Sequence, residues 1–235
     1  MAWSEGRHDE VDDRGEWACY GALAPSMRND VELLDAWRAG DRRAANELFE
    51  RHFPAIARFF RNKVRSEDDA NELVSQTFLA CTQSRDRFRG EASVRQFLFS
   101  IAHKVLFQYI RMQTKRLREE GDFAEVCVED AFPATLSSIV MHRREAQSFV
   151  QALREIPVGD QVVLELMYFE GLTGPEIADL LGVAEGTVRG RIARGKERLR
   201  ARVERVLATG PDASALDPAL LEVWAQEVRS SQGWS

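Results

Sequence analysis

The chain has 235 residues, a formal net charge of −6 and 30% charged residues, enough for one large domain or two small ones with much exposed surface. Its three cysteines, Cys19, Cys81 and Cys127, are far apart and lack CxxC spacing, which argues against a disulfide framework or a zinc site and for a reduced, cytoplasmic protein. No apolar run reaches about 18 residues and the acidic start MAWSEGRHDEVDD has no apolar stretch, so neither a membrane span nor a signal peptide is expected.

Residues 1–28 are polar and acidic without a sustained period and read as a flexible extension. A helix is expected from Asn29 or Asp30, either of which can cap it, to the turn at Gly40-Asp41. A second runs from Arg42 to Lys63, with Leu48, Phe49, Phe53, Ile56, Phe59 and Phe60 at three- and four-residue spacing and Pro54 as a kink. A third spans Ser66 to about Gln83, with acidic residues in its first turn. The polar loop Arg85–Glu91 follows, then a fourth helix from about Ser93 to Arg118, apolar at its start and basic at its end. From Glu119 to Ser138 the periodicity dissolves; residues 119–135 hold six acids and no base, an acidic linker. Helices are expected again at Ile139–Ile156, Asp160–Glu170, Thr173–Leu181 and Ala184–Leu207. After Gly210-Pro211 one more can start at Asp217-Pro218. No segment reads as a strand. The fold is expected to be all-α, two small helical domains joined by a flexible acidic linker.

The acidic total hides segregation. Residues 189–205 carry eight Lys or Arg against two Glu, and local charge decides where phosphate docks. Overlapping them, Leu172 to Leu199 reads as a helix-turn-helix. Thr173 and Glu176 form a capping box, Ile177, Leu180 and Leu181 face inward, Ala178 allows close approach, and Gly182 supplies a left-handed turn. Val183, Val188 and Ile192 anchor the second helix and leave Thr187, Arg189, Arg191 and Arg194 outward, as a groove-reading helix requires. A merely solvated basic helix does not account for this combination. Gly186, Gly190 and Gly195 each cost about 1 kcal/mol relative to Ala in a helix interior, so this helix relies on packing.

The matches at Ile156-Pro157, Gly171-Leu172, Glu176-Ile177-Ala178, Leu181-Gly182, Gly186-Thr187-Val188, Arg191, Arg194 and Leu199-Arg200 resemble the C-terminal pattern of extracytoplasmic-function sigma factors of the sigma-70 family. GDRRAANELFERHFPAIARFF, DDANELVSQTFLA and RDRFRGEASVRQFLFSIAHKVLFQYIR resemble region 2 of that family, in the same order. The resemblance covers about Val31 to Val206. It implies region 2 at 29–118, a linker at 119–138, region 4 at 139–208 and extensions at 1–28 and 209–235. It further implies a bacterial initiation factor, not an enzyme, that needs no cofactor, takes core RNA polymerase and promoter DNA as partners, and leaves room for an anti-sigma factor.

By the same resemblance, Asp69, Glu72, Leu73, Val74, Gln76, Thr77 and Phe78 dock on the clamp helices of the polymerase large subunit, with region 4 toward its flap. Exposed Leu and Val beside acidic and amide groups suit a helix–helix interface, although Leu73 and Phe78 also fit a core helix. Phe88, Arg89, Gly90 and Phe97 resemble the part that opens the −10 element, with Arg111 and Lys115 on phosphates. The family commonly has Trp where this chain has Phe97 and Asn where it has Lys104, so base preference stays open, as does a plain core role for Phe97. For the −35 element the matched positions are Thr187, Arg189, Gly190, Arg191, Ala193 and Arg194, with Lys196 and Arg198 as phosphate contacts.

Other classes fit less well. A response regulator needs an alternating βα receiver, and Val31–Arg118 has no strands. His8, His52, His103 and His142 are scattered, with no HExxH motif and no Gly-rich phosphate loop, which disfavours an enzyme. A helix-turn-helix regulator that does not bind polymerase stays as the alternative.

Overall fold

The computed structural model describes residues 28–64, 66–115, 127 and 144–208. Its helices are α1 (Asp30–Arg38), α2 (Arg42–Arg61), α3 (Glu67–Ser84), α4 (Val94–Lys115), α5 (Arg144–Arg154), α6 (Val158–Tyr168), α7 (Gly174–Leu181) and α8 (Glu185–Ala208). A short 3-10 turn, Arg85–Arg87, follows α3. No strand occurs among the described residues, so the all-α expectation holds. The linker contributes only Cys127, which makes an isolated antiparallel bridge with Pro157. The rest of the linker, the helix expected after Asp217-Pro218, and both extensions apart from Arg28 lie outside the described residues.

Local chemistry sets the helix ends. Asn29, rather than Asp30, caps α1: its side chain accepts the Glu32 N–H at 3.0 Å, and Glu32 accepts the Asn29 N–H at 2.8 Å. Asp41 accepts the Arg43 and Ala44 N–H groups at the start of α2. α2 runs through Pro54 to Arg61 without a break. Ser66 caps α3, whose first turn holds Glu67, Asp68 and Asp69. Gly182 ends α7 in the left-handed conformation, φ +66°, as the turn requires.

In the first half, α1 to α4 wrap one aromatic-rich core. Leu34, Leu48, Ile56, Phe60, Leu98, Phe99 and Leu106 are fully buried or nearly so. Phe59 meets Phe99 edge-on with ring centroids 5.6 Å apart, and Trp37 meets Phe49 likewise at 5.1 Å. Asp30 ties α1 to α2 through Arg51 at 2.7 Å and His52 at 2.8 Å. The hydrogen bond from His52 holds the Asp30 carboxyl below the usual carboxylate range.

In the second half, Phe149, Leu153, Leu164, Phe169, Leu199 and Val203 form a smaller cluster of α5, α6 and α8. Gly195 is where α8 crosses α6. A Cβ there would stand 3.1 Å from Leu164 Cδ1 and 3.2 Å from Asp160 Cβ, so the helix-weakening glycine has a packing reason. This half's other buried apolar residues join one continuous cluster with the core of the first half. Val158, Val162, Val163, Leu166, Ile177, Ala178, Leu180 and Val188 belong to the same buried cluster as Leu98 and Phe99. The two halves are therefore packed against each other, which the sequence did not foretell.

Candidate nucleic-acid and polymerase interfaces

Region 185–205 of α8 shows its inner face to the fold through Val188, Gly195, Leu199 and Val203, all buried. The outer face carries Gly186, Thr187, Arg189, Ala193, Arg194, Glu197 and Arg200, all exposed. This is the three- and four-residue stripe of a helix that lays one side into a groove. The expected −35 residues divide on it. Thr187, Arg189 and Arg194 are presented to solvent, although Arg189 also pairs with Glu185 one turn back at 2.7 Å. Gly190 is half-buried, and Arg191 is half-buried with its charge reaching His103 on α4. Lys196 lies over the Tyr168 ring, 5.5 Å from its centroid. Arg198, its side chain 39% exposed, sets its guanidinium 2.7 Å from the buried Asp160 carboxylate and so braces α8 on α6, because a buried carboxylate requires a partner.

The start of α7 is built as the capping box requires. Glu176 accepts the Thr173 N–H at 2.8 Å and its hydroxyl at 2.6 Å, bonds that draw the Glu176 carboxyl below its usual range.

Phe88 and Phe97 come together across the loop between α3 and α4, ring centroids 5.3 Å apart. They line a cavity of about 600 Å³ with Arg87, Arg89, Glu91, Ala92, Gln96 and Ser100. Gly90 turns the loop at φ +77°. Arg38 props it from below: its guanidinium donates to the Arg85 and Phe88 carbonyls and lies 5.9 Å from the Phe88 ring centroid. Sequence reasoning missed Arg87, Gln96 and Ser100, since nothing in their local pattern places them at one cavity, and Arg38, which supports the loop from another helix. Arg111 is exposed on α4, roughly 21 Å further along the helix than Phe97 at 1.5 Å per residue, so it lies away from the cavity. The Lys115 side chain lies outside the described residues.

On α3 the expected docking residues also split. Glu72 and Gln76 are exposed and hydrogen-bonded to each other at 2.8 Å, and Asp69 is half-buried. Leu73 and Thr77 are 3% and 0% exposed and belong to the core, which corrects their reading as surface contacts; the amphipathic helix turns that face inward. Val74 is also buried, but it floors an apolar groove with Phe49, Phe53, Pro54 and Phe78. Phe53 of α2, 45% exposed, edges this groove, and Leu79 of α3 is 59% exposed. Neither belonged to the expected docking set. Buried Cys81 has its thiol pushed up to about 12 by desolvation, which makes it inert at neutral pH. Among the described residues no group of His, Cys, Asp or Glu could hold a metal ion, and no helix is long and apolar enough to cross a membrane.

Comparison with known proteins supplies the family. Residues 48–116 match the model of Sigma-70 region 2, and residues 146–199 match that of Sigma-70, region 4. The ECF RNA polymerase sigma factor SigM of Mycobacterium tuberculosis is 32% identical over 183 residues, spanning 78% of this chain and 88% of that protein. The chain belongs to the sigma-70 family, in its ECF group. It is a transcription initiation factor and not an enzyme. The ECF sigma-E factor of Haemophilus influenzae is similar at 25% identity over 74% of this sigma factor and 95% of the relative. In fold, the sigma factor resembles CnrH in complex with the cytosolic domain of CnrY, with TM-score 0.54, 24% identity, and coverage of 75% of this chain and 97% of that one. It also resembles the sigma factor RpoE in complex with the anti-sigma factor NepR from Bartonella quintana, with TM-score 0.52, 20% identity, and coverage of 68% and 96%.

Proposed function

We propose that this sigma factor docks on core RNA polymerase through α3 and reads a promoter at two places, the −10 element with the Phe88–Phe97 cavity and the −35 element with the outer face of α8. The observation that carries the reading is the cavity. Two aromatic rings with Arg87 and Arg89 at the rim offer stacking for an unstacked base and cations for its backbone, a combination worth about 1–3 kcal/mol per base. The division into region 2 at 29–118, a linker at 119–138 and region 4 at 139–208 goes with it. So does polymerase docking by the exposed strip of Glu72, Gln76 and Leu79 beside the Phe53–Phe78 groove. Because a similar protein was solved with the anti-sigma factor NepR, an anti-sigma factor is proposed as a further partner.

The test uses holoenzyme reconstituted from core polymerase and the full chain. Phe88→Ala is expected to keep polymerase binding, to lose most transcription from a duplex promoter, and to regain it on a template pre-melted at −10. Equal open-complex formation by Phe88→Ala and the parent on duplex DNA would place strand capture elsewhere. Failure of the parent protein to bind core polymerase at all would favour the regulator alternative.

A further inference from the structure

The loop that carries Phe88 is held at both ends, and the two holds differ in kind. At the far end Ser93 and Gln96 form a capping box at the start of α4. The Gln96 N–H donates to the Ser93 hydroxyl at 3.1 Å, and the Gln96 side chain accepts the Ser93 N–H at 2.8 Å. That hold is local. The near end is held from α1, by a residue 47 to 50 positions earlier in the chain.

Arg38 is the last residue of α1. Its Nη2 donates to the Arg85 carbonyl at 2.5 Å and to the Phe88 carbonyl at 2.6 Å, and its Nε donates to the Arg85 carbonyl at 3.2 Å. Its Nη1 donates to the Asp35 carboxylate one turn back at 3.1 Å, which fixes the plane of the guanidinium. A planar fork of donors suits this task, and a Lys ammonium presents no such plane. The contact is reciprocal. Arg85 lays its own guanidinium over the Trp37 ring of α1, 5.0 Å from the centroid, and Trp37 is buried against Phe49. The Arg85 Nε is buried there without a hydrogen-bond partner, a cost that the stack on Trp37 and the grip of Arg38 offset. Arg38 does not line the cavity. It fixes the backbone of the turn that ends in Phe88, and so the place of the ring that meets Phe97.

We propose that Arg38 is a positioning residue for base capture: by gripping the Arg85 and Phe88 carbonyls it holds the Phe88 ring where an unstacked −10 base meets it. The grip stands on the contacts alone; that the ring captures a −10 base rests on the function proposed above.

The test uses holoenzyme reconstituted from core polymerase and the full chain, with a promoter library randomised at −10. Arg38→Gln is expected to bind core polymerase as the parent does and to keep a melting temperature near the parent's. It is expected to form about tenfold fewer open complexes on duplex DNA, the size of losing about half of one base's stacking, and to flatten preference at one −10 position. Amide exchange at Phe88, whose N–H donates to the Arg85 carbonyl at 3.3 Å, is expected to quicken. Arg38→Lys, which keeps the charge without the fork, is expected to recover less than half of the loss. Full recovery by Lys would assign the effect to charge near the DNA backbone and overturn the proposal. Phe88→Ala combined with Arg38→Gln is expected to be no worse than Phe88→Ala alone, because no ring is left to position. Losses that add in full mark a general weakening of the fold and also overturn it. Arg38→Gln at the parental level while Phe88→Ala is defective sinks the positioning role and leaves the −10 reading intact. If Phe88→Ala too stays at the parental level, the −10 reading itself fails and the positioning role falls with it.

Discussion

The two halves of this sigma factor solve the same problem with different means. The first closes its own core: α1 to α4 bury Phe59, Phe60 and Phe99 together with Leu48, Leu98 and Leu106. The second is smaller and leaves Val162, Val163, Leu166, Ile177 and Val188 to be covered by its neighbour. A short helical unit cannot bury all its apolar surface alone, because surface shrinks more slowly than volume. What the smaller half lacks in core it gains by docking, and the docking places charged residues in the seam. Stability in the first half should therefore depend on apolar packing, and in the second on the seam.

The largest effect should come from the seam. Glu165→Ala leaves Lys63 without the carboxylate that offsets its burial, desolvation that already pushes the Lys63 ammonium below its usual pKa. Removing one partner of a buried pair costs about 3–5 kcal/mol. Urea unfolding is expected to split into two transitions, the second half melting first; a single transition at the parent midpoint would break the comparison.

Next is the core of the first half. Leu73→Ala should cost about 3 kcal/mol by leaving a cavity among α2, α3 and α4. Glu72→Lys with Leu79→Ala, on the exposed strip, should leave the melting temperature unchanged and weaken co-purification with core polymerase. The opposite pattern would return Leu73 to the docking face.

Acid acts on the contact between halves. Burial, with the charges of Arg191 on α8 and of Lys104 on its own helix, depresses His103 to about 4 from a usual 6.5, while the Phe107 ring lies against it. The unfolded chain then takes up a proton that the folded one refuses. Stability from this group is present above about pH 6.5 and lost as pH falls toward 4, about 2 kcal/mol after allowance for its partial exposure. His103→Gln should flatten the urea midpoint between pH 7.5 and 4.5; an equal slope in both proteins would assign the acid sensitivity to other groups.

The smallest effects distinguish arginines on one helix. Arg194→Ala should relax preference at one −35 position by about 1–2 kcal/mol in a promoter-library assay, without touching stability. Arg198→Ala should leave that preference and the salt slope alone and lower the melting temperature, because its guanidinium sits on Asp160. Lys196→Ala should lower output on all sequences alike. A changed −35 preference with Arg198→Ala and none with Arg194→Ala would mean that the helix enters the groove on a different face.

Helix positions, caps and the turn at Gly182 were legible in the sequence because they depend on residues three or four apart. So was the family, since its motifs are local patterns in a fixed order. Which face of α3 points inward was not: Leu73 and Thr77 look like candidates for either side until α2 and α4 supply the core that covers them. Arg198 and Arg194 carry the same charge on the same basic helix, and only Asp160, 38 residues earlier in the chain, tells them apart. Glu165 and Glu170 left one faint sign, carboxylates in an otherwise apolar stretch, VVLELMYFE. Their partners Lys63, Arg58 and Arg95 lie 75 to 112 residues away in the chain. Short-range periodicity determines helices; only tertiary packing, which joins distant segments at a few ångströms, decided which charges were buried and which were left exposed.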